Sequence, residues 1–251
     1  MTPSLEVLVA ATLVLAVAAW LQYGPIIGAA ELVARRVAPR LPQAATYPID
    51  HVRAIVGLPA FGVLGMVSYA VACAAMGLSP LSPLGGATPE LVALGALLGV
   101  AEAGVALVVA SSAIAGFAPL RLRGMRDDQI ASEMRIVGRS GWIRLYDHVM
   151  RMRPLPLSIA VVMIPLMAEE LVFRGLGVTL LRPFGPGVAI GLTTAVFILA
   201  QAPKMPSWFS ALPAACGALV VGLVHASLFW AEPSLAPLFA AHLTFFIFIA
   251  L

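Results

Sequence analysis

Charge is scarce in this chain. Asp, Glu, Lys and Arg make up 11% of its 251 residues, where a soluble domain carries about a quarter. With 61% apolar residues and a mean hydropathy of +0.99, too few polar side chains remain to coat a soluble core. A soluble globular domain is excluded, and lipid is the solvent that suits the composition. Lysine is almost missing: Lys204 is the only one among 15 basic residues. The arginines are not interleaved with exposed aromatics, so the net charge of +3 gives no reason to expect a nucleic-acid partner. The two cysteines, Cys73 and Cys216, lie in apolar segments without ligand-like neighbours. They read as small core residues and leave the redox compartment open. Period-two alternation is lacking as well, which excludes a β-barrel and leaves an all-α, polytopic transmembrane helical bundle. The first apolar run has Glu6 ahead of it and no basic residue, unlike a signal peptide.

What is present is a series of about seven apolar segments, at roughly 20 residues per crossing. They fall near Leu5–Ala30, Ala54–Leu78, Leu91–Phe117, Leu155–Phe173, Val188–Ala202, Leu212–Trp230 and Leu235–Leu251. The fifth is short and the seventh ends with the chain. The arginines gather in two of the intervening loops. Arg35, Arg36, Arg40 and Arg53 lie in the first, and Arg121 to Arg153 in the third, whereas the loop around Pro80 has none. Placing both basic loops in the cytoplasm puts the N-terminus outside and the C-terminus inside. The expected organisation is one membrane domain, 1–251, with a basic interfacial loop at 118–153. In that loop Ile130, Met134 and Val137, then Trp142, Leu145, Tyr146 and Val149, recur at helical spacing. Amphipathic helices lying in the headgroup region are expected there, with His148 a solvated member of the polar face. Small residues four apart, Gly95 with Gly99 and Gly187 with Gly191, predict close helix contacts.

Few ionisable groups remain inside the spans: Glu102, Glu169, Glu170, Arg174, His225 and His242. A charge near the centre of a membrane helix costs about 2.5–3.5 kcal/mol on insertion scales, so each is a functional candidate. Adjacent carboxylates resist ionising together, which raises the cost of Glu169 beside Glu170. Glu170 and Arg174 are four apart on one helical face and can pair, whereas Glu169 points about 100° away. That geometry leaves two readings. Either Glu170 and Arg174 form a structural ion pair while Glu169 faces a cavity as a general base, or the charged cluster only pins helices together. Glu102 could hold Arg174 or a histidine across the bundle. His225 is either a packing residue or an auxiliary imidazole. Glu169, His242 and His225 reach the minimum count for catalytic zinc, but no close-spaced ligand pair exists, so neither metal nor cofactor is expected.

Glu169-Glu170, three residues, then Arg174, at the end of an apolar helix, resembles the first motif of the CAAX-protease and bacteriocin-processing family of intramembrane endopeptidases. Phe197 to Gln201 stands where the family has Phe, three residues, His; His242 to Phe246 stands where it has His, three residues, Asn. The resemblance covers 155–251, which it implies to be the catalytic core. It implies a helical bundle with a polar cavity in which Glu169 activates water, Glu170 and Arg174 support it, and His242 is a second catalytic or water-positioning group. Gln201 replaces a histidine and cannot exchange a proton near neutral pH. Phe246 removes an amide donor, and losing one oxyanion donor can cost about 100- to 1000-fold in rate.

The expected function is therefore cleavage of a membrane-associated peptide or protein, such as a C-terminal sorting segment, a prenylated tail or a bacteriocin-like leader. A non-catalytic relative that binds a membrane segment or a partner protease is the alternative, favoured by Gln201 and Phe246. A small transporter with Glu169 and Glu102 as proton carriers is a third reading, without support from paired broken helices. The arginine- and alanine-rich composition points to a bacterial cytoplasmic membrane. Glu169 lies about 21 Å along its span from the basic loop, which places it nearer the outer face.

Overall fold

In lipid a backbone amide has no water to bond, so an unbroken apolar run satisfies itself as a helix. A computed structural model describes residues 4–139, 141–151, 154–201 and 205–250. Among the described residues, and setting aside short 3-10 turns, nine helices follow in order: α1 Leu5–Arg40, α2 Ile49–Ala75, α3 Pro89–Arg121, α4 Asp127–Arg139, α5 Gly141–Met150, α6 Leu155–Phe184, α7 Pro186–Gln201, α8 Trp208–Ala231 and α9 Ala236–Ala250. No strand occurs among the described residues, and the fold is an all-α polytopic membrane bundle. Arg153, Ala202, Lys204 and Leu251, and the side chains of Arg139 and Trp142, lie outside the described residues.

Of the seven apolar segments, α1, α2, α3, α6 and α8 are long and apolar enough to cross a bilayer. Helices α7 and α9, at 16 and 15 residues, fall short of the roughly 20 that a crossing takes. Local signals set the starts. The Ser4 hydroxyl accepts from the Val7 amide at α1, Thr88 does the same for Leu91 at α3, and Ser207 and Ser210 form a reciprocal box at α8.

Two helices depart from regular α geometry. In α1 a π-helical stretch spans Gln22–Ile26 around Pro25, and in α6 another spans Leu171–Val178. The second corrects the fourth expected span: the helix does not stop at Phe173 but continues to Phe184, because the apolar stretch beyond Arg174 carries the turn onward. Glu169 is thus midway along α6, not near its far end.

Packing follows small residues in part. Gly95 and Gly99 of α3 face the backbone of Pro237 and Ala241, where any Cβ would overlap the carbonyl oxygens, so α3 and α9 are in intimate contact. Gly62 of α2 similarly admits α6, since a Cβ there would lie 2.7 Å from the Ile164 carbonyl carbon. A Cβ at Gly187 or Gly191 would meet nothing within 4 Å outside its own helix, so no close helix contact forms there among the described residues. Leu97, Leu107 and Val108 of α3 stay exposed, as an apolar face turned to lipid does.

The third loop forms both expected amphipathic helices, yet α5 does more than rest among headgroups. Tyr146, Val149 and Met150 are buried in a cluster with Leu58 of α2 and with Val162 and Leu166 of α6. His148 is half-buried, its ring 4.4 Å from that of His51, instead of standing in solvent. Burial, with His51 and Arg144 nearby, holds it below the usual imidazole range. Arg121 of α3 grips Glu133 of α4 at 2.9 Å, which ties the loop to the bundle.

Candidate active site

Glu170 is the hub of the buried polar cluster. The last α-helical turn of α6 before its π segment aims it inward, and its side chain has no exposure at all. Its Oε1 accepts from Arg174 Nη1 at 3.2 Å, from His225 Nδ1 at 3.0 Å and from His242 Nδ1 at 2.6 Å. Three helices, α6, α8 and α9, meet on one oxygen. Arg174 is satisfied further by the Val221 carbonyl at 2.8 Å and by the face of the Phe197 ring, 4.8 Å from its guanidinium carbon. His225 completes the chain outward: its Nε2 lies 3.2 Å from Glu102 Oε2 on α3. Both ring nitrogens of His225 thus face carboxylates, an arrangement that needs an imidazolium or a proton on one of the two carboxyl groups. Glu170 Oε2 and Glu102 Oε1 are left without a hydrogen-bond partner among the described residues.

Glu169 faces the other way. Its Oε1 accepts from the Tyr23 hydroxyl at 2.7 Å, and that hydroxyl accepts from Gln201 Nε2 at 3.1 Å. Its Oε2 is 3.8 Å from His242 Nε2. That is too long for a hydrogen bond and short enough for one water to reach both atoms. Because Nδ1 of His242 is committed to Glu170, the ring is fixed with Nε2 toward Glu169. Glu169, Gln201 and His242 line a cavity of about 310 Å³ whose walls are mainly apolar, from Ala106, Leu107 and Ala110 of α3 and Pro213, Ala214 and Gly217 of α8. Val137 of α4 and Tyr146 of α5 close it on the side of the basic loop. The cavity is therefore built toward that loop, which removes the ground for placing the site near the opposite face.

The six candidate groups within the spans all fall into this cluster, though not in the roles first drawn for each. His225 does not line the cavity and does not touch Glu169; it braces Glu170 from behind. Glu102 holds His225, not Arg174. Phe197 lies over Arg174, and Phe246 sets its ring 5.4 Å from His242 and 4.4 Å from Tyr146, presenting carbon where the family motif has an amide. Among the described residues, the atoms gathered closely enough for a cation are those of Glu170, His225 and His242, all within 4.8 Å of one another. A cation there would sit at Glu170 and exclude Glu169, unlike the set drawn from the sequence.

Tyr23 was missed. It sits in the first apolar run, remote from every motif, and the π stretch delivers its ring to Phe61 and Phe173. The Gln22-Tyr23-Gly24-Pro25 interruption of an otherwise apolar segment was the available signal, since non-regular backbone inside a membrane is tolerated where it faces protein. A second, larger cavity of about 540 Å³ lies between α1, α2 and α5, with Arg35, Asp50, Arg53 and Arg144 at its walls. It contains none of the six intramembrane groups.

Residues 151–248 match the family model described as Rce1-like, type II CAAX prenyl endopeptidase Rce1-like. The matched segment agrees with the resemblance carried by Glu169-Glu170 and Arg174, and it includes Gln201, His225, His242 and Phe246. No curated protein and no solved structure matches the chain.

Proposed function

We propose that this integral membrane protein is an intramembrane endopeptidase that hydrolyses a peptide bond in a membrane-associated segment. The observation that carries the reading is the pair Glu169 Oε2 and His242 Nε2, 3.8 Å apart at the wall of an apolar cavity. Glu169 removes a proton from a water held between them as the oxygen attacks the carbonyl carbon, and His242 orients that water from the other side. The proton then passes to the departing amide nitrogen, the C–N bond breaks, and a carboxyl and an amine leave. Glu170, fixed by Arg174 and His225, keeps His242 in place and takes no part in the transfer. The apolar walls suit a hydrophobic or lipid-modified segment, such as a prenylated tail or a C-terminal sorting segment. No metal enters this scheme.

Phe246 and Gln201 favour a second reading, a non-catalytic relative that binds such a segment or a partner protease. Cleavage by the purified protein in liposomes separates the two. Wild type is expected to cut a prenylated or leader-type peptide, with kcat falling about 100-fold or more in Glu169→Gln and in His242→Ala and persisting in chelator. Unaltered cleavage in both variants would remove Glu169 and His242 from the mechanism. Binding without cleavage by wild type would favour the second reading.

A further inference from the structure

Gln201 occupies the place of a motif histidine, yet its amide nitrogen points at neither Glu169 nor His242. It donates to the Tyr23 hydroxyl at 3.1 Å, and Tyr23 in turn donates to Glu169 Oε1 at 2.7 Å. The hydroxyl has one proton and the amide has donors to spare. With Gln201 donating to the phenolic oxygen, the Tyr23 proton is free to be directed at the carboxylate. The result is a one-way chain, Gln201 to Tyr23 to Glu169, that ties down Oε1 and leaves Oε2 as the oxygen facing His242. The ring is held independently of the hydroxyl, edge-on to Phe61 at 6.0 Å and tilted against Phe173 at 6.3 Å, and is 5% exposed.

We propose that Tyr23 is the positioning residue for Glu169, with Gln201 setting the direction of its hydroxyl, so that α1 supplies a hydrogen bond to the general base. The inference rests on the proposed protease site and deepens it. Substitution of the motif histidine by glutamine is then not a loss of machinery: a residue that cannot carry a proton suffices where its task is to orient a phenol. The dependence also makes α1, which lies outside the matched 151–248 segment, part of the working site.

Two measurements test this. Tyr23→Phe keeps the aromatic packing, and it is expected to lower kcat roughly 10- to 100-fold with KM within about twofold. Gln201→Ala is expected to lose less, and the double variant to match Tyr23→Phe alone, as groups acting in one chain do. Additive losses, or Tyr23→Phe at wild-type kcat, would overturn the inference. Glu169→Gln is the control: its inactivity with an unaffected Tyr23→Phe rejects only the positioning role, whereas an active Glu169→Gln rejects the site itself. The second measurement is independent of turnover. In infrared difference spectra the Glu169 carboxyl band, identified by its loss in Glu169→Gln, is expected to move in Tyr23→Phe and, by less, in Gln201→Ala. A band unmoved in Tyr23→Phe would likewise overturn it.

Discussion

Arg174 sits 1% exposed at the centre of an apolar bundle, where an unpaired guanidinium could not be tolerated. Its partners, the Glu170 carboxylate, the Val221 carbonyl and the Phe197 face, come from α6, α8 and α7. The pair is thus a fastener among three helices as well as a support for His242. Removing Arg174 leaves the buried Glu170 with only its two histidine partners, and breaking a buried ion pair in proteins costs about 3–5 kcal/mol. Arg174→Met is expected to lower the thermal midpoint in detergent accordingly, and Glu170→Gln combined with Arg174→Met to recover much of the loss. A single variant that melts with wild type would show that the ion pair does not hold these helices. The pairing of Glu170 with Arg174 was legible from their spacing. The contacts of Glu170 with two histidines were not, since nothing in local spacing relates position 170 to 225 or 242.

At the scale of elements, the site depends on how closely α9 approaches α3. His242 follows directly after Ala241, the residue whose carbonyl lies against Gly99. Gly99→Val forces the two backbones apart and carries His242 with them. Overpacking of this kind costs about 1–3 kcal/mol, and cleavage is expected to fall together with the melting temperature. Gly191→Ala is the contrast: its open surroundings predict an unchanged or slightly raised midpoint. Equal damage from both substitutions would mean that glycine content, not the α3–α9 contact, governs stability. The sequence pattern does not distinguish these pairs, because four-residue spacing of glycines reports that a close approach is allowed and not that a partner helix is there. The π stretch of α6 is another feature beyond its reach. Leu171–Val178 has no proline to mark a wider turn, and all eight of its residues are buried.

For the whole molecule, the basic loops and the bare Pro80 loop are what an expected orientation rests on. Under the positive-inside arrangement, a cysteine placed at Ser82 is labelled by an impermeant reagent from outside, and one at Asp128 only after the inner face is opened. The reverse pattern would invert the topology and the face on which the α4–α5 side of the cavity lies. Cys73 and Cys216 are buried and contribute little background. Helices α7 and α9, neither of full crossing length, both bear candidate site residues, Gln201 and His242.

Composition and local spacing were enough to establish a helical membrane bundle, the inventory of intramembrane charges and the separate directions of Glu169 and Glu170. Each of those depends on solvent preference or on the rise and turn of one helix, and both are local properties. Apart from Glu170 with Arg174, one turn away, the partners of those charges came from folding alone. Glu102 with His225, Tyr23 with Glu169, and Gln201 turned toward a phenol are contacts between positions 123, 146 and 178 apart in the chain, and only the packing of distant helices brings them together.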